Sequence, residues 1–160
     1  MLALIKILLG CCLIWIFIQD IKQRRVYLFL LVACGLMMSY LFYSQSQTSV
    51  YLWQIGFNLM VVGIITIILF LYAKWVLMKS FHKTFGFGDL SFFLAIAIGF
   101  STGNFLILFS FSLLFSGILF LMMKPKMKLS TVPLAGYQAL FFCLVYCSNW
   151  IFSITNLYTF

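Results

Sequence analysis

This chain has almost no acid. Among its 160 residues only Asp20 and Asp89 carry a carboxylate. Charged residues of both signs make up 8%, against roughly 25% in a soluble domain. A soluble fold of this size could not cover itself with so little polar surface. Histidine occurs once, at His82, and proline twice. The five cysteines, Cys11, Cys12, Cys34, Cys143 and Cys147, form no C-x-x-C pair, so a zinc site has no ligand set. All five lie in apolar runs, where packing is the ordinary role of a thiol. Nothing in their pattern demands an oxidising compartment. Sustained apolar/polar alternation is also missing, which argues against a β-barrel. Helices are left as the elements that can cross a bilayer.

What the chain has instead is apolar bulk. Hydrophobic residues make up 66% and aromatics 20%, with 20 phenylalanines. The reading is an all-α, polytopic membrane protein whose solvent is the lipid bilayer. A crossing takes about 20 apolar residues. On that measure the expected spans are 2–19, 26–43, 50–73, 89–99, 105–123 and 133–152, in one membrane-embedded domain. Leu90 to Met123 is too long for a single crossing, and Gly99-Phe100-Ser101-Thr102-Gly103-Asn104 supplies the turn that divides it. Pro133 suits the first turn of the last helix. Leu8-Leu9-Gly10-Cys11 looks like a lipoprotein cleavage box. Lys6 interrupts the short apolar stretch before it and apolar residues continue to Ile18, so a first spanning helix is the better reading.

The formal net charge is +8, but its placement speaks for topology rather than for nucleic acid. Lys22, Arg24 and Arg25 lie between spans one and two. Lys74, Lys79 and Lys83 lie between spans three and four. Lys124, Lys126 and Lys128 lie between spans five and six. The other loops and the tail carry no cation, and only Lys6 falls outside the scheme. The positive-inside rule then puts the first, third and fifth loops in the cytoplasm and both termini outside.

This topology places Asp20, at the end of span one, and Asp89, at the start of span four, at one depth on the cytoplasmic side. They can meet if helices one and four pack together. Ser91, Ala95 and Gly99 recur every fourth residue, a small-xxx-small stripe that lets helix backbones approach. It fits generic packing equally well and names no partner. Between Lys74 and Gly88, Leu77, Phe81 and Phe85 lie on one helical face and Lys79, His82 and Lys83 on another. That pattern reads as an amphipathic helix lying in the cytoplasmic interface. His82 is a polar-face residue there, with a tuning role toward Asp89 as the alternative.

Asp89 closes the run Gly86-Phe87-Gly88-Asp89. Glycines allow unusual backbone angles and close approach just before a helix begins. By itself such an Asp could simply cap a helix. A second carboxylate at the same depth makes a different chemistry available: two carboxyls that meet share a proton and can run acid–base hydrolysis.

In these residues the chain resembles the bacterial type IV prepilin leader peptidases, membrane aspartic proteases of the GxGD type. Asp20-Ile21-Lys22-Gln23-Arg24-Arg25-Val26 is similar to the family's first catalytic aspartate with its basic stretch. Gly86, Gly88 and Asp89 match the second motif. Val132-Pro133-Leu134-Ala135-Gly136 partly matches a late segment that opens the last helix. The resemblance implies that Asp20 and Asp89 are catalytic and that Gly86, Gly88, Arg24 and Arg25 shape the site. It also implies no cofactor and no metal, a multi-pass place in the bacterial cytoplasmic membrane, and a membrane-anchored prepilin-like substrate. Tyr27 and Leu28 stand where the family often has Pro-Asn, and Leu90-Ser91-Phe92 lacks the basic residue that often follows the second aspartate. The large loop of paired zinc ligands linked to methyl transfer is absent, so the expected form is peptidase-only. The alternative is a non-enzymatic transport or assembly protein that uses the two aspartates as ion-pair or proton-relay groups.

Overall fold

The computed structural model describes residues 2–75, 86–123, 133–152 and 158. Among them there are six helices and no strand. They are α1 (Leu2–Gln23), α2 (Leu28–Tyr43), α3 (Thr48–Trp75), α4 (Phe87–Ala97), α5 (Thr102–Met123) and α6 (Leu134–Phe152). Most of the expected interfacial helix over 74–88, including His82, and the Lys124–Lys128 cluster lie outside the described residues.

The protein is an all-α, polytopic membrane protein. Helices α1, α3, α5 and α6 are long and apolar enough to cross a bilayer. Their outward faces carry large apolar side chains, among them Trp53, 81% exposed, and Ile151, 73% exposed. Water would penalise such a surface, and hydrocarbon does not.

The expected fourth span is shorter than a crossing. Helix α4 has 11 residues, about 16 Å at 1.5 Å per residue, roughly half of the hydrocarbon core. It stops where the turn was expected. The Gly99 N–H returns to the Ile96 carbonyl, and the Phe105 N–H to that of Ser101. A helix that ends among buried apolar residues leaves carbonyls in need of a donor. Asn58 of α3, wholly buried, supplies the donors. Its side-chain amide donates to the carbonyls of Ala97 and Phe100, each at 2.9 Å.

The core lies where α1 packs along α6 and α2 packs along α4. Helix α5 closes on α6, and α3 covers α4 and α5. Phe100 stands against Phe142 and Tyr146, with ring centroids 5.5 and 5.6 Å apart. Phe93 meets Phe109 edge to face at 4.8 Å. All five cysteines are free thiols within these apolar helices.

The small-residue stripe on α4 finds its partner in α2. A Cβ added at Gly99 would lie 2.7 Å from the Met38 Cβ, and one at Gly35 would lie 3.2 Å from that of Ala95. A methyl group at Gly99 has no room, and one at Gly35 would be tight. Gly63 on α3 has nothing within 4 Å of its Cβ position. Gly99→Ala is therefore expected to destabilise the fold by about 1–3 kcal/mol through overpacking. Gly63→Ala should leave it unchanged or raise it by about 0.5–1 kcal/mol, the helical preference for alanine. Denaturant unfolding in detergent micelles compares the two; equal losses would contradict this packing.

Candidate active site

The site grows from an unfinished helix end. The first N–H groups of any α-helix have no partner within the helix. Pro133 precedes α6, and its carbonyl accepts the Tyr137 N–H at 3.1 Å, which opens the helix. Pro133, Ala135 and Gly136 are all buried, so water is a poor acceptor for the next amides. The acceptors are the chain's two carboxylates. The Ala135 N–H donates to Asp89 Oδ1 at 2.9 Å, and the Gly136 N–H donates to Asp20 Oδ2 at 2.7 Å.

Consecutive amides thus hold two acids that are 69 residues apart in sequence. The carboxyls are close enough for the charge of Asp20 to act on Asp89. Both face the positive end of the α6 dipole, which favours negative charge there. Packing of α1 on α4 was the condition the sequence set for the acids to meet. The two helices share at most marginal contact. A third helix makes the junction.

Each acid is placed by its own helix end. Asp20 lies in the last turn of α1, buried to 7% exposure. Its backbone carbonyl accepts the Arg24 N–H at 3.0 Å, and Arg24 has φ 54°. A single left-handed residue just past a helix ends it in this way. Glycine usually takes that place, because a side chain makes the conformation cost roughly 1–2 kcal/mol. Here an arginine takes it, and its charge reaches Asp20. Arg25 is exposed. Gln19 closes the connection by accepting the Tyr27 N–H at 3.3 Å.

Asp89 lies in the first turn of α4, partly exposed. The Gly86 backbone donates to its carboxyl, as in a helix-capping acid, in addition to the bond from α6. In this run Gly86 acts by size, and neither glycine adopts an unusual angle. No described glycine has positive φ, and Gly86 sits at φ −79°, ψ 140°. A Cβ on Gly86 would approach Asp89 Oδ2 to 3.2 Å. A Cβ on Gly88 would meet only the Val26 Cβ, at an ordinary 3.9 Å.

The tightest glycine of the site is Gly136. A Cβ there would stand 2.9 Å from the Asp20 Cβ and 3.0 Å from its Oδ2. Sequence reasoning noted Ala135 and Gly136 only within a partial motif and assigned them no role. The available signal was a proline followed by small residues at a helix start, which exposes amides to an anion. Among the described residues no cluster of three His, Cys, Asp or Glu side chains could hold a metal. No family model, curated protein or solved structure matches this chain.

Gly136→Ala is expected to lower stability by about 1–3 kcal/mol, because the new methyl has to displace Asp20 or the start of α6. Gly88→Ala should stay within about 0.5 kcal/mol of the parent. Thermal unfolding of both variants in one detergent checks the pair, and a Gly136→Ala protein as stable as the parent would contradict this geometry.

Proposed function

We propose that this protein is a membrane aspartic endopeptidase that cleaves the leader of prepilin-like proteins at the cytoplasmic face of a bacterial inner membrane. The observation that carries the reading is the convergence of the chain's only two carboxyls on adjacent amides of α6. A protein with so little acid has brought both of its acids to one place.

In this reading one ionised carboxylate takes a proton from water as general base. The other, protonated, polarises the scissile carbonyl and then helps protonate the leaving amine. Like charges at close range disfavour double ionisation, so the pair shares one proton. The Ala135 and Gly136 amides hold both carboxyls in place, so little reorganisation is needed at the moment of reaction. The substrate presents a short basic leader in the cytoplasm and an apolar helix in the bilayer, and the cut falls at their junction. Arg24, held beside Asp20, bears on the charge of the dyad.

A second reading has support from the same hydrogen bonds. Both acids cap α6, which a purely structural or transport role would also require. Asparagine separates the two readings, because its side-chain oxygen still accepts an amide N–H but it cannot ionise. Asp20→Asn and Asp89→Asn are expected to insert and fold while cleavage falls by about 10²–10⁴-fold, the usual worth of a general acid or base. Asp20→Ala and Asp89→Ala are expected to lose cleavage and also about 1–2 kcal/mol of stability, as a lost helix cap does. Co-expression with a candidate prepilin, scored for leader removal, reads activity; unfolding in detergent reads stability. Folded Asn variants that still cleave would refute the dyad.

The proposed topology has its own test. Reporter fusions after Arg25 and Lys126 should report the cytoplasm, and fusions near Gln47 and at Phe160 the opposite side. The first and fifth loops on opposite sides would exclude the cytoplasmic site.

A further inference from the structure

Away from the acids, the junction of α3 with the α4–α5 turn holds a second concentration of buried polar atoms. Gln54 Oε1, Asn58 Oδ1 and Ser101 Oγ are buried and have no hydrogen-bond partner among the described residues. Asn58 and Ser101 have no exposed surface at all. Gln54 and Asn58 sit one turn apart on α3. Asn58 is tied to this turn through Ala97 and Phe100, and the Gln54 carbonyl accepts from Thr102 Oγ1 at 3.5 Å. Ser101 lies between these anchor points in sequence. The three orphan oxygens thus belong to the two segments that these bonds join.

Their burial makes the orphans costly. Neither Asn58 nor Ser101 reaches the surface of the protein. An unsatisfied polar group buried among apolar helices is costly.

The chemistry of the three atoms defines what would satisfy them. Both protons of the Asn58 amide are committed to the carbonyls of Ala97 and Phe100. That fixes the amide orientation and leaves Oδ1 as an acceptor. Gln54 Oε1 is a second acceptor, whereas the Ser101 hydroxyl can donate. The complement is one small molecule that donates twice and accepts once. A bare cation would coordinate the oxygens, but the chain's only acids stand at the far end of α4 and offer it no counter-charge here. We propose that a single internal water binds here, donating to Gln54 Oε1 and Asn58 Oδ1 and accepting from Ser101 Oγ. Such three-bonded waters are ordinary parts of protein interiors. This one would fasten the inner end of the half-helix whose other end carries Asp89. The inference depends on the fold alone and stands apart from the peptidase reading.

A crystal structure from a lipid mesophase, at a resolution that orders waters, tests it directly. The expected result is one density peak within about 2.6–3.2 Å of all three oxygens. A second crystal soaked in thallium(I) should show no anomalous signal there. An empty site, or a thallium peak, would overturn the proposal. Thermal unfolding gives a second arm, because a shared water would couple Gln54 and Ser101, which make no direct hydrogen bond. The Tm loss of the Gln54→Leu/Ser101→Ala double variant should be clearly smaller than the two single losses added together. Additive losses would also overturn it.

Discussion

The start of α6 is the constraint on which the rest of the structure depends. A helix that begins inside an apolar protein needs acceptors for its first amides, and a buried carboxylate needs donors. Each need answers the other at Ala135–Asp89 and Gly136–Asp20. The end of α1, the start of α4 and the start of α6 are thereby tied to one level. Any rotation or slide of one of these helices breaks a hydrogen bond to a carboxyl oxygen. Gly136 marks how close the parts have come, since there is no room for a methyl between α6 and Asp20.

Helix α4 shows what that arrangement asks of its neighbours. At 11 residues it ends among apolar helices, so its last carbonyls need a donor from elsewhere. Asn58 of the long helix α3 provides it. At its start Asp89 is held by α6, and along its length Gly99 and Ala95 lie directly against Met38 and Gly35 of α2. A short helix with both ends bonded and one face in backbone contact has little freedom to move. An acid at its start is accordingly held in a defined position, which acid–base chemistry at a shared site requires.

Much of this was legible in the chain, for physical reasons that can be named. The bilayer demands long apolar runs, so α1, α3, α5 and α6 stand out. The turn near Gly99–Thr102 was visible because Leu90–Met123 exceeds any single crossing. Asp20 and Asp89 were conspicuous because acid is so rare here. The depth shared by the two acids followed from the placement of the cations. Other features were hidden. The partner of the Ser91–Ala95–Gly99 stripe could not be read, because any apolar helix offers a suitable face. Asn58 looked like one more polar residue in an apolar run. The glycines of Gly86–Asp89 suggested special backbone angles, yet they adopt ordinary ones, and only Gly86 is closely fitted around the acid.

What the sequence by itself determined is the class of solvent, the helical elements and the identity of the acids, since these follow from composition and from hydrophobic length. What only the tertiary structure decided is how the acids meet. Sequence left the meeting conditional on α1 packing against α4; the fold joins the acids through backbone amides of α6. A backbone N–H has the same chemistry at every non-proline position. Only the fold determines which of them lie unpaired at a buried helix end, within reach of a carboxylate.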